Sequence, residues 1–172
     1  SRKLKGVATP DIYGGFNTTL YAYGFDFSIA FDYQIGGLSY DSGYASYMSS
    51  PSGTSVGRNY HVDLLNAWTK GVNEDSQIPR FQYDDVYTSA TSDRFLTDAS
   101  YINISNINLG YTFPAKWWNN KISGLRIYVA CDNVYYWSQR KGLDPRQSFS
   151  GGTTNVNYSP IRTISGGVTL TF

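Results

Sequence analysis

From residue 25 to residue 35 the chain alternates without a break. Phe25, Phe27, Ile29, Phe31, Tyr33 and Ile35 take one phase, and Asp26, Ser28, Ala30, Asp32 and Gln34 the other. Period two marks a strand with one apolar and one polar face. The run is as long as the ~9–11 residues a tilted membrane strand needs. A weaker stripe precedes it over 12–22, with Ile12, Gly14, Phe16, Thr18, Leu20 and Ala22 opposite Tyr13, Gly15, Asn17, Thr19 and Tyr21. Only Tyr23 and Gly24 separate the two runs, which predicts a hairpin with a tight glycine turn.

Three further strands follow. Over 100–113, Ile102 and Ile104 keep one phase while Ile107, Leu109, Tyr111 and Phe113 keep the other. A one-residue slip flips the faces of a strand, so the pattern predicts a β-bulge near Ser105 and Asn106. Over 125–135, Leu125, Ile127, Val129 and Cys131 alternate with Arg126, Tyr128, Ala130 and Asp132. The last strand, 161–172, sets Ile164, Gly166, Val168, Leu170 and Phe172 against Thr163, Ser165, Gly167, Thr169 and Thr171. The connections at Tyr23–Gly24 and 114–124 are short, whereas those at 36–98 and 136–159 are long. The first long one is rich in Gly, Ser, Tyr and Asp and carries one expected helix near His61–Trp68. Short and long connections in alternation are the habit of outer-membrane barrels, and a soluble sandwich can also gather long loops at one end.

Composition narrows the choice. The 172 residues include 16 Tyr, 9 Phe and 4 Trp, while charged residues make up only 16%, below the ~25% of an average soluble domain. A formal net charge of +1 gives no electrostatic footprint for nucleic acid. One cysteine, Cys131, and one histidine, His61, leave no internal disulfide, no Cys- or His-rich metal site and little material for nucleophilic catalysis. No run approaches the ~18 apolar residues of a membrane helix. The mean hydropathy of −0.37 is compatible with a barrel, because lipid-facing and lumen-facing residues alternate.

A series of short motifs carries a family resemblance. Pro10-Asp11, Tyr13-Gly14-Gly15-Phe16-Asn17, Gly24-Phe25-Asp26, Pro79-Arg80-Phe81, Ser92-Asp93-Arg94-Phe95-Leu96, Asp98-Ala99-Ser100-Tyr101-Ile102, Leu109-Gly110-Tyr111-Thr112-Phe113-Pro114, Gly142-Leu143-Asp144-Pro145 and Arg162-Thr163 follow one another, ahead of the terminal Phe172. In that order they resemble the C-terminal barrel region of SusC/RagA-type transporters, the TonB-dependent outer-membrane proteins of Bacteroidetes. The resemblance implies an all-β chain forming the last five antiparallel strands of a barrel of about 22 strands, with long extracellular loops at 36–98 and 136–159. The plug domain is absent from these residues. It implies uptake of glycan or peptide fragments driven through TonB, no enzymatic activity and no cofactor. The implied partners are the remaining N-terminal part of the transporter, a SusD-like surface lipoprotein as lid, and outer-membrane lipid. Arg146 departs from the pattern, which leads one to expect an acidic residue after Asp144-Pro145. It is read as variation outside any chemistry.

Candidate residues follow from that topology. Trp68, Tyr136 and Trp137 fall on the outer side as substrate or lid contacts, with loop self-packing as the plainer role. Phe172 is the candidate assembly signal. Trp117 and Trp118, in a periplasmic turn, read as an interfacial aromatic girdle. Asp26 and Asp32 read as solvated channel lining, Cys131 as a small apolar-face residue, and His61 as a loop residue without chemistry. Asp84-Asp85 makes a weak calcium pair. Counting strands back from Phe172 places residues 1–11 outside the cell, so Ser1 is expected to mark a cut in a surface loop, the rival expectation being upstream sequence that these residues do not include. Rival classes are a soluble carbohydrate-binding β-sandwich and a passive porin or adhesin barrel.

Overall fold

The structure is a computed structural model that describes residues 3–53, 57–118, 123–139, 142–147 and 159–171. Ser1, Phe172 and most of the second long connection lie outside the described residues. Among the described residues seven strands form: β1 (Ile12–Ala22), β2 (Phe25–Ile35), β3 (Leu38–Tyr40), β4 (Leu96–Asp98), β5 (Tyr101–Phe113), β6 (Gly124–Ser138) and β7 (Thr163–Thr171). The five long ones make a single sheet in the order β1-β2-β5-β6-β7, each neighbour antiparallel. Among the described residues no helix is long and apolar enough to cross a membrane.

The β1–β2 turn follows from its two residues. Tyr23 and Gly24 have φ of 52° and 88°, the paired left-handed conformation of a type I′ hairpin turn. The bulge falls at Ser105. Ile104 and Asn106 face consecutive residues of β2, Phe31 and Ala30, and Ser105 Oγ donates to the Ala30 carbonyl at 3.2 Å. On the other side Ser105 lies opposite Asn133 and Val134, which sit between the paired Asp132 and Tyr135. Asn133 takes a left-handed φ of 51°, as bulged positions often do. Beyond that bulge β6 runs on to Ser138, so Tyr136 and Trp137, expected in a loop, are strand residues. Periodicity fades at the bulge, while backbone pairing to Tyr101 and Ile102 continues through it.

The register stacks apolar positions across all five strands. Leu20, Phe27, Leu109 and Val129 form one row; Ile127 and Val168 continue the next. Nothing among the described residues covers this face: Phe16 is 63% exposed and Val168 65%. Its ends are aromatic. At the short-turn end Phe25, Tyr111, Phe113 and Trp117 meet in sequence through tilted and edge-on contacts, with ring centroids 4.6, 4.8 and 5.8 Å apart. At the other end Tyr135 and Trp137 lie 4.6 Å apart. From Phe25 to Tyr33 a tilted strand rises roughly 20 Å, close to the apolar band of a barrel.

The long connection between β2 and β5 is more ordered than its composition predicts. β3 and β4 pair with each other, prolonging the β2–β5 ladder past a turn in which Gly36 and Gly37 both have positive φ. Helix α1 (Ser42–Met48) is capped by Asp41, whose carboxylate accepts from the Tyr44 amide at 2.8 Å. The helix expected at His61–Trp68 is a 3-10 turn at Val62–Asn66, ended by the extended backbone of Ala67. Ala45, Met48 and Phe95 are buried together, with Tyr40, Tyr44, Leu64 and Ile78 packed around them. These elements are too short to imprint a period on the sequence.

The segment before β1 docks on this connection. The Leu38 amide donates to Val7 O at 2.9 Å, and Lys5 Nζ lies 2.8 Å from Asp93 Oδ2. The Lys5 ammonium holds the Asp93 carboxyl below its usual range, and Asp93 in turn raises Lys5. A depressed carboxylate contributes stability above its unfolded pKa and loses it as pH falls through the folded value. The raised Lys5 contribution is lost at the alkaline end. The protection of the Leu38 amide, its exchange rate relative to the intrinsic rate at each pH, should therefore fall on acidification below the ordinary carboxylate range, and Lys5→Ala should remove that pH dependence. Phe95→Ala should cost the connection about 3–5 kcal/mol of local stability, read as faster amide exchange across α1 with the main sheet unchanged.

Candidate functional site

The polar face of the sheet is the side on which charged and amide groups converge. β5 supplies short polar residues: Asn103 Nδ2 donates to Asp32 Oδ1 at 2.8 Å across to β2, and Asn106 Nδ2 to Asp132 Oδ1 at 2.7 Å across to β6. These are directly opposed pairs in the register. Asp32 is thus hydrogen-bonded rather than merely solvated lining.

Toward the short-turn end, two strands meet across a third. Arg126 of β6 grips Asp26 of β2 with Nε at 2.9 Å and Nη2 at 2.5 Å, and its guanidinium lies 5.0 Å from the Tyr128 ring. Gly110 of β5 lies directly between them. A Cβ there would come within 2.5 Å of both the guanidinium and the carboxylate. A planar guanidinium suits this two-point contact. The sequence offered one signal for the pair, a glycine on the polar phase of an otherwise well-filled strand, which marks a close approach.

Toward the opposite end the second long connection contributes Asp144 and Arg146. Arg146 Nε and Nη2 bind the Asp144 carboxylate at 2.8 and 2.6 Å, and the guanidinium stacks 4.6 Å from the Tyr136 ring. The side chains are only 3% and 12% exposed for Asp144 and Arg146. Asp144 holds Arg146 above its already high usual pKa. Arg146, read from the sequence as variation without chemistry, is therefore half of a buried ion pair.

The sequence-derived contacts are not brought together. Tyr136 points to the polar face beneath Arg146, Trp137 to the apolar face beside Tyr135. Trp68 sits in the first long connection, its amide bonded to Ile78 O at 2.8 Å. His61 caps the 3-10 turn, Nδ1 accepting from the Asp63 amide at 3.2 Å, with its ring 4.7 Å from Tyr44. Asp85 accepts from the Tyr87 and Thr88 amides at 2.9 and 3.4 Å. Among the described residues no group of three His, Cys, Asp or Glu is placed to hold a metal ion.

Gly110→Ala should separate Arg126 from Asp26 and lower the denaturation midpoint slightly, as loss of a solvent-screened charged contact does. Arg126→Ala should lower it by a similar amount, and the double variant little more than either alone. Additive losses in chemical denaturation of the full-length protein would show that Gly110 acts elsewhere.

No protein-family model matches the chain. Among curated proteins it is similar to TonB-dependent receptor P3 of Formosa agariphila, 27% identical over 99% of the chain and 17% of that protein. A second receptor of that organism, P26, is 26% identical over 97% of the chain. TonB-dependent receptor SusC of Bacteroides thetaiotaomicron is 36% identical over 47% of the chain and 8% of its own length. The chain thus spans about 17% of the length of the first two relatives. Among solved structures, the RagAB peptide importer in its closed-closed state superposes with a TM-score of 0.81 at 25% identity, over 99% of this chain and 18% of that one. The open-open state gives 0.78 at 27% identity, over 96% of this chain and 17% of that one. Over nearly its whole length the chain is thus similar in sequence to TonB-dependent receptors and in fold to part of a SusC/RagA-type barrel.

Proposed function

We propose that this chain is a wall segment of an active outer-membrane importer. In this reading it supplies the last five strands of a barrel of about 22, with the plug and remaining strands in sequence beyond these residues. Import is energised through TonB, a SusD-like lipoprotein closes the outer mouth, and the cargo is glycan or peptide fragments. The chain has no catalytic role. The Bacteroidetes outer membrane, where SusC and RagA proteins reside, is its proposed location.

One observation carries this reading: a five-stranded sheet with an uncovered apolar face, aromatic at both ends, opposite a polar face. A sandwich would bury that apolar face against a second sheet. A membrane covers it with lipid, and its outermost strands, β1 and β7, pair with further strands so that no backbone group is left bare in hydrocarbon. The SusC relative and the RagAB likeness support the lipoprotein lid. RagAB is a peptide importer, which supports peptides among the candidate cargoes.

Paired substitutions at mid-strand test it in the full-length protein. Ile29→Arg should cost about 2–4 kcal/mol on the lipid side, whereas Ser28→Arg should be tolerated. The measure is the fraction of heat-modifiable, folded protein in the outer membrane. Equal effects at both positions would refute the assigned faces.

A further inference from the structure

The described part of the second long connection, residues 142–147, lies on the polar face of the sheet. Ser138 Oγ donates to the Leu143 carbonyl at 3.1 Å, and Arg146 stacks on Tyr136. The register sets Ser138 opposite Tyr101 and Tyr136 opposite Asn103, all polar-face positions. Asn103 is only 4% exposed, although it belongs to a single-layer sheet. Leu143 and Asp144 are likewise buried, at 8% and 6%. Asp132, on the same face farther along β6, stays exposed. The segment has folded across the face at the end where β5 begins and β6 finishes.

Resting on the reading of this sheet as a barrel wall with its polar face inward, we propose that residues 142–147 form an inward-folded rim element that narrows the mouth of the passage, with Arg146 as its positioning residue. The arginine holds the segment in two ways, by a two-point bond to Asp144 within the segment and by stacking on Tyr136 of the wall. Lysine offers neither the planar fork nor the stacking surface. Removing the guanidinium leaves the Asp144 carboxylate buried without its partner, which drives the segment out toward water. Because the two charges neutralise each other, the rim restricts passage by size and shape rather than by net charge.

Cysteine labelling of the full-length protein on intact cells tests this. A small membrane-impermeant maleimide should modify Leu143→Cys about tenfold more slowly than Val72→Cys in the exposed first connection, the difference expected between a packed and a freely open site. Adding Arg146→Ala, or Arg146→Lys, should bring the Leu143→Cys rate up to that of Val72→Cys. The small reagent should reach Ser28→Cys in both backgrounds. A bulky polyethylene-glycol maleimide should reach it only with Arg146→Ala, a change in aperture that loss of local stability alone does not produce. If Arg146→Ala fails to fold, Tyr136→Leu, which removes the stacked ring and spares the ion pair, carries the same comparisons. Fast labelling of Leu143→Cys in the parent, or equal access of the bulky reagent in both backgrounds, overturns the proposal. Failure of the underlying wall reading looks different: the small reagent would then label Ile29→Cys as readily as Ser28→Cys.

Discussion

Everything in this structure depends on cross-strand register. Five strands are paired so that their apolar side chains fall on one face, and among the described residues no second layer covers that face. In water such an arrangement would be unstable, since apolar area left exposed contributes nothing to folding. In a bilayer the same face is satisfied by lipid, and the dominant demand becomes that every backbone group find a partner within the sheet. The bulge at Ser105 matters for this reason. Without the extra residue, either Ile102 and Ile104 or Ile107 and Leu109 would point to the polar side, and the apolar face would break in the middle.

The polar face is organised by contacts between strands rather than by free charges. Asp26 and Arg126 close over Gly110, and Asp32 and Asp132 each take an amide from β5. The glycine allows two long side chains from non-adjacent strands to meet, which ties three strands together on one side. Gly167 plays a related part under the Tyr128 ring, where a Cβ would come within 2.6 Å of the aromatic carbons. Such gaps weaken a strand by themselves. Here the side chain that fills each gap compensates.

The connections at the far end behave as small structures with interiors of their own. The first packs Phe95 and Met48 into a core and extends the β2–β5 pairing through β3 and β4. The segment ahead of β1 is joined to it at Val7 and Lys5. What is described of the second folds over the polar face of the sheet. Among the described residues the long-connection end of the sheet therefore carries packed elements, whereas the other end carries a two-residue turn and a 3-10 turn at Ala115–Trp118.

Alternation in the sequence by itself determined the long strands, their faces and the bulge, because a pleated strand exposes alternate side chains to opposite sides and any slip of phase is visible in the residues. The motifs from Pro10-Asp11 to Arg162-Thr163 pointed to the family for a different reason: their order along the chain, not their individual strength. Tertiary structure alone decided what those faces do locally. α1, β3 and β4 span too few residues for a period to emerge, and the end of β6 was hidden because its bulge interrupts the pattern that pairing carries across. Arg126 and Asp26 are 100 residues apart in sequence, and only the strand order β2-β5-β6 sets them on either side of Gly110. Arg146 gave no sign in the sequence of its burial. That follows from a connection folding back onto the polar face of the sheet, a packing event that no local pattern of side chains records.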